Sequence, residues 1–317
     1  MRAANPLIAV CVCTRARPNM LRRCLASLRE QRFDAAHFRM KLILVDNNPE
    51  PIAEPIYEQI WGAERSGEYV RCSRPGIPMA RNAALDAALG ARADYIAFLD
   101  DDEVAPPHWL RSILQALEKS CADAIQGGVR QLTADAEDIT SGMPPSSGQV
   151  SWERCESLAT CNVLFTARLV EPPLSLRFDE AMQFTGGSDR EFFMRAHKRG
   201  AKLLRVHGID VFEDVHADRG FGYRAARTFA AGSNYFARVS KNEPRLVAAA
   251  RIALRTVDRS VSGVVKLAAA AVLLLVLRPR QAHAQWRKGY LSLCFAAGCL
   301  TPLAGVRAYP YRNIQGA

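Results

Sequence analysis

The chain has 317 residues, 49% of them apolar and 23% charged; this suits one large α/β domain with an appendage, or two domains, and excludes a disordered polypeptide. Its net charge of +10 is unevenly placed, since residues 217–317 carry 16 Lys and Arg against 3 Asp and Glu. Basic residues mixed with apolar runs point to an anionic membrane surface, and with no nucleic-acid motif present, nucleic acid is excluded as a partner.

Residues 7–13, LIAVCVC, form a continuous apolar run of strand length, too short for a secretory leader and followed at once by TRARP. Pro18 suits the first residue of a helix, and Leu21, Cys24, Leu25 and Leu28 then repeat at helical spacing. KLILVD (41–46) is a second buried strand, ending at Asp46 and the turn cluster NNPEP. RPGIPMARNAALDAALG (74–90) becomes helical from Pro78 and stops at Gly90, and YIAFL (95–99) is a third strand. Residues 133–150, rich in Pro, Gly, Ser and acids, read as a flexible loop with the character of a lid. TCNVLF (160–165) is a further strand. A helix from Ser188, with Phe192, Phe193 and Ala196 as its core face and Gly200 as its stop, leads into a strand near 206. Continuous apolar strands interleaved with helices predict a mostly parallel sheet covered on both faces. The nine cysteines contain no CxxC pair, which fits a reducing cytosolic compartment.

Thr14, Asp46 and Asp100 each follow directly after an apolar strand. In open parallel sheets ligands bind beyond the carboxyl ends of the strands, so these residues predict one site. The third strand runs into Asp100, Asp101, Asp102 and Glu103. Four neighbouring acids repel, so either water screens them or a cation sits among them. Adjacent carboxylates suit Mg²⁺ or Mn²⁺, which take oxygen ligands and leave positions for substrate phosphates. The spacing of a calcium-binding EF-hand and the GxxxxGK[ST] of a P-loop are both missing.

IAVCVCTRARPNMLRRCLASL, ILVDNN, RPGIPMARNAAL, YIAFLDDDE and TGGSDREFFMRAHKRGAKL follow one another in this order. In order and spacing they resemble family 2 glycosyltransferases of the GT-A fold, in particular bacterial exopolysaccharide enzymes of the succinoglycan type. The resemblance implies a GT-A catalytic domain over residues 1–240 and a basic, apolar helical region over 241–317. It implies an inverting glycosyltransferase that moves a sugar from a nucleotide-sugar, a UDP-hexose, to a saccharide or lipid-linked saccharide in cell-surface polysaccharide synthesis. Carried over by position, Thr14 and Arg15 line the nucleotide pocket and Asp46 meets the base. Gly76, Arg81 and Asn82 match a donor-binding segment, with Arg81 toward the donor. Asp100 and Asp102 match the DxD acids, Asp100 toward the ribose and Asp102 toward Mg²⁺ or Mn²⁺, and Asp101 shares that work. Asp189 matches the catalytic base, with Ser188 where the family has Glu and Glu191 as the fallback. His216 matches a histidine that completes the metal site. The other readings are a sugar nucleotidyltransferase, whose Gly-rich N-terminal loop CVCTRARP lacks, and a catalytically silent membrane adaptor.

In the tail, LAAAAVLLLVL (267–277) and LSLCFAAGCLTPLAGV (291–306) fall short of the roughly 20 apolar residues of a spanning helix. If both crossed, the basic segment 278–290 would lie outside, against the positive-inside tendency. Interfacial or re-entrant helices at the cytoplasmic face of the bacterial inner membrane are the expectation.

Overall fold

The computed structural model describes residues 5–62, 65–132, 150–213 and 220–305. The lid expected at 133–150 and His216 therefore fall outside the described residues, except for Val150. The chain divides into two compact units, the second taking Phe184–Gly187 and the helices that follow residue 215.

The first unit opens with β1 (Leu7–Thr14), whose apolar run is buried along nearly its whole length. Helix α1 (Pro18–Arg29) starts at its proline and buries Leu21, Cys24, Leu25 and Leu28, the spacing read from the sequence. Next come β2 (Arg39–Asp46), α2 (Glu54–Ile60), β3 (Gly67–Arg71), α3 (Ile77–Gly90) and β4 (Tyr95–Asp100). The two-residue β5 (Glu103–Val104) precedes α4 (Trp109–Ser120), which ends on Cys121 in the left-handed conformation. After it come β6 (Ala124–Gln131), β7 (Ser151–Arg154), β8 (Val163–Thr166), α5 (Ser188–Lys198) and β9 (Leu203–Glu213).

Among the described residues these strands form one nine-stranded sheet in the order β3-β2-β1-β4-β8-β6-β9-β5, with β7 also on β9. Strands β3, β2, β1 and β4 are parallel neighbours, while β8 runs antiparallel between β4 and β6. Side chains alternate across a strand, so each central strand feeds two cores. Ile8, Val10, Val12, Leu42 and Leu44 pack with α1 and α4 on one face. Leu7, Ala9, Cys11, Ile43 and Val45 pack with α3 and α5 on the other. This is the mostly parallel α/β sheet expected, covered on both faces.

Beyond the five strands read from the sequence, the structure adds β3, β5, β6 and β7. In β6 the run AIQGGVRQ has two glycines, and the first is required by close packing. A Cβ on Gly127 would lie 2.1 Å from the Ile209 carbonyl and 2.3 Å from Asn162 Nδ2. Asn162 is fully buried, accepts from Trp109 Nε1 at 2.7 Å, and donates to the Gly128 and Ile209 carbonyls. It ties α4, β6 and β9 together. In β7 the run SWER is wholly exposed and offers no apolar signal.

The second unit is helical: α6 (Phe221–Asn242), α7 (Arg245–Leu275) and α8 (Pro279–Leu300). The division places α6 with these helices, whereas the sequence reading grouped residues up to 240 with the sheet. The apolar run 267–277 belongs to the end of the 31-residue α7, with Leu277 in the left-handed region turning the chain into α8. Among the described residues no helix is long and apolar enough to cross a membrane. One face of α7 nonetheless exposes Leu254, Val257, Val261, Val264, Val265, Val272 and Leu275.

Candidate active site

The strand register brings the predicted residues together. Thr14 pairs with Asp46 across β1 and β2, and Asp100 pairs with Cys13 across β1 and β4, so all three lie at the carboxyl edge of adjacent parallel strands. The acids beyond β4 do not point into bulk solvent: Asp101, Asp102 and Glu103 are buried and Asp100 is half-buried.

Each acid of the run has its own surroundings. Thr14 Oγ1 donates to Asp101 Oδ2 at 2.7 Å. A single nitrogen of Arg17, Nη1, lies 3.0 Å from Asp101 Oδ1 and 3.0 Å from Asp102 Oδ2. Glu103 turns away and accepts the Asp100 backbone N–H at 3.0 Å. Burial, then the neighbouring Asp102 carboxylate, push the Asp100 carboxyl up to about 7. Burial and Asp100 likewise hold Glu103 well above the usual carboxylate range. Arg81 and Arg17 both pull the Asp100 carboxyl down without offsetting this rise.

Asp46 is fully buried and its oxygens are taken by the protein. Oδ1 accepts from Asn48 N and Nδ2, while Oδ2 accepts from Ala53 N and the Tyr69 hydroxyl and lies 3.5 Å from Arg71. Here Asp46 organises the turn after β2 and the β3 edge. The next two residues extend the same work. Asn47 donates to the Cys72 and Arg74 carbonyls and accepts Gly76 N–H, and Asn48 accepts Ala16 N–H. Gly76 has φ +126°, a backbone that favours glycine, and leads into α3.

Arg81 lies over the Phe178 ring and donates to Ser188 Oγ at 3.2 Å, and its charge also acts on Asp100. Ser188 is thus a buried contact of Arg81. Asn82 exchanges hydrogen bonds with the Phe178 backbone and reaches Glu180. Asp189 stands half-buried in the first turn of α5, with Oδ1 accepting the Arg190 N–H. Glu191, two residues on and roughly opposite around the helix, is buried and holds Arg195 by both oxygens, at 2.7 and 2.8 Å. The Cys161 thiol is raised chiefly by burial and further by the charges of Glu103, Asp100 and Asp189. Arg15 is half-buried beside Thr14.

Among the described residues no group of three or more His, Cys, Asp and Glu side chains is arranged to hold a metal. The donors nevertheless fit Mg²⁺ or Mn²⁺. Two carboxylates from successive residues already converge on one cationic nitrogen, and such ions take one or two carboxylates plus phosphate oxygens. The sequence reading missed Arg17, Asn47, Asn48 and Asn162. For Arg17 the only signal was its place just before the helix-starting proline.

The Glycosyl transferase family 2 model matches residues 9–156, which span β1, β4 and the acids beyond it. Succinoglycan biosynthesis protein ExoM of Rhizobium meliloti (strain 1021) is 31% identical over 237 residues, 72% of this chain and 74% of that protein. The chain belongs to glycosyl transferase family 2. Succinoglycan biosynthesis protein ExoW of the same organism is 33% identical over 115 residues, 35% of each chain. Among solved structures, S. aureus TarS 1–349 in complex with UDP-GlcNAc aligns with a TM-score of 0.52 at 13% identity, covering 94% of this chain and 92% of that one. That likeness shows the GT-A fold of the family 2 chain.

Proposed function

We propose that this family 2 member is an inverting glycosyltransferase. It moves a sugar from a nucleotide-sugar, a UDP-hexose, to a hydroxyl of a saccharide or lipid-linked saccharide in cell-surface polysaccharide synthesis. The observation that carries the reading is the convergence of Thr14, Asp46, Asp100, Asp101 and Asp102 at one sheet edge, with Arg81 acting on Asp100 and bonded to Ser188, the residue before Asp189. The succinoglycan relatives support polysaccharide synthesis, and the UDP-GlcNAc bound to TarS suggests the donor class.

In this reading Thr14, Arg15 and Gly76 line the nucleotide pocket, Asp46 and its asparagines hold the pocket wall against the base, and Asn82 holds the segment behind Arg81. Asp100 meets the ribose. Asp102, with Asp101 and with His216 from outside the described residues, would hold Mg²⁺ or Mn²⁺. The ion would neutralise charge on the departing diphosphate. Asp189 accepts the proton of the acceptor hydroxyl as its oxygen forms a bond to the anomeric carbon. The bond from that carbon to the diphosphate breaks, its electron pair stays on the diphosphate, and Arg81 stabilises the charge that develops there. Asp189 is preferred to Glu191 as the base because both Glu191 oxygens are occupied by Arg195.

The helical unit is read as a membrane-surface element at the cytoplasmic face. Support comes from the exposed apolar stripe on α7 and the basic balance of the tail. A screen of nucleotide-sugars for release of nucleoside diphosphate, with Mn²⁺ and saccharide or lipid-linked acceptors, tests the activity. Asp102→Asn and Asp189→Asn are each expected to lower kcat at least 100-fold. Unchanged rates would overturn the assigned roles, and release of pyrophosphate would assign nucleotidyl transfer instead.

A further inference from the structure

Arg17 has no role in the reaction as described, yet it sits at the centre of the acidic run. We propose that Arg17 is a resident counter-cation that covers the metal-facing oxygens of Asp101 and Asp102 until a diphosphate draws it away. Metal and donor then bind as a coupled pair. The inference deepens the proposed function and rests on it.

Three features carry it. First, the position is shared: one Arg17 nitrogen lies 3.0 Å from an oxygen of each carboxylate, and Asp101's other oxygen is held by Thr14. A divalent ion binds carboxylate oxygen at about 2.1 Å, so it cannot take Asp101 Oδ1 and Asp102 Oδ2 while the guanidinium bridges them. Second, the partners differ in freedom. The two carboxylates are buried, at 6% and 7% side-chain exposure, whereas Arg17 is 26% exposed and so has room to move outward. Its backbone is fixed, because Ala16 N–H is held by Asn48 and Pro18 begins α1, which leaves the side chain as the moving part. Third, there is somewhere better for the guanidinium to go. Its planar fork matches phosphate oxygens by paired, charge-assisted hydrogen bonds, so an arriving diphosphate competes for it and draws it off Asp101 Oδ1 and Asp102 Oδ2.

The consequence is reciprocal coupling: nucleotide tightens metal binding, and metal tightens nucleotide binding, by the same factor. Without nucleotide the protein holds metal weakly, which avoids filling the site before the donor arrives.

Mn²⁺ binding to the full-length protein, followed by electron paramagnetic resonance with and without UDP, tests the proposal without any need for turnover. Arg17→Gln is expected to bind Mn²⁺ at least tenfold more tightly than wild type in the absence of UDP, a gain that misfolding would not produce. The further tightening on adding UDP is expected to shrink at least tenfold in this variant. Arg17→Lys, which keeps a cation in place, should stay within threefold of wild type in the absence of UDP. Equal or weaker Mn²⁺ binding by Arg17→Gln, or the same UDP effect in both proteins, would overturn the proposal. If the tightening appears but no nucleotide-sugar is turned over, the glycosyl-transfer reading fails and Arg17 stands as a counter-cation.

Discussion

Asp100 shows how one residue reports the state of the whole acidic run. Its carboxyl is raised to about 7 by burial and by Asp102, against an ordinary value near 4 when unfolded. Between about pH 4 and 7 the folded chain therefore binds a proton that the unfolded chain has released, so folding stability falls as pH rises through that window and levels off above it. Urea denaturation of metal-free protein from pH 5 to 8 is expected to show this decline, with Asp100 contributing no more than about 1.4 kcal/mol per pH unit. Asp100→Asn should show a shallower one, and a rise in wild-type stability over this range would refute the assignment. A second residue-scale prediction concerns Gly127. Any Cβ there collides with the Ile209 carbonyl and with Asn162, neither of which can move without breaking the contacts among α4, β6 and β9. Gly127→Ala is expected to destabilise the protein by roughly 2–4 kcal/mol, read as a lower denaturation midpoint. Neither effect was legible in the sequence. The acids were visible as a run, but which of them was buried, and that Arg17 stood between two of them, depends on how the loop after β1 folds back.

At the scale of elements, the parts that could be read were those whose burial leaves a pattern in the chain itself. Strands β1, β2 and β4 are buried on both faces and appear as apolar runs, and α1 repeats its apolar residues at helical spacing. Strands β6 and β7 were missed because their pairing is set by partners distant in sequence: β6 by β8 and β9, and β7 by β9. Helix α7 was read too short, since Arg251, Arg255, Asp258, Arg259 and Lys266 interrupt its apolar residues. Within the helical unit, α6 and α8 meet through glycine. A Cβ on Gly298 would lie 2.0 Å from the Phe229 carbonyl, and one on Gly232 2.1 Å from the Phe295 carbonyl. Gly298→Val is therefore expected to force the two helices apart and lower the thermal midpoint of this unit, while the sheet keeps its circular-dichroism signature. An unchanged midpoint would show that the helices do not depend on this contact.

For the whole molecule, the uneven charge and the α7 stripe lead to one expectation about location. Val261 and Val265 are each more than half exposed within a row of apolar side chains, which a purely aqueous surface does not favour. The protein should sediment with vesicles containing anionic lipid and less so at high salt, because the attraction to the headgroups is screened. Val261→Asp with Val265→Asp should reduce the bound fraction severalfold. Wild-type protein that stays in the supernatant with such vesicles would remove the membrane from the proposal and leave the sugar chemistry untouched.

At the tip of β2, three successive side chains grip separate stretches of chain: Asp46 holds Ala53 and Tyr69, Asn47 holds the 72–76 stretch, and Asn48 holds Ala16. The rim of the crevice is thus fastened by one rivet instead of several. Slack introduced at any of these attachments is shared by the rest, and the walls around the ligand loosen or stiffen in concert.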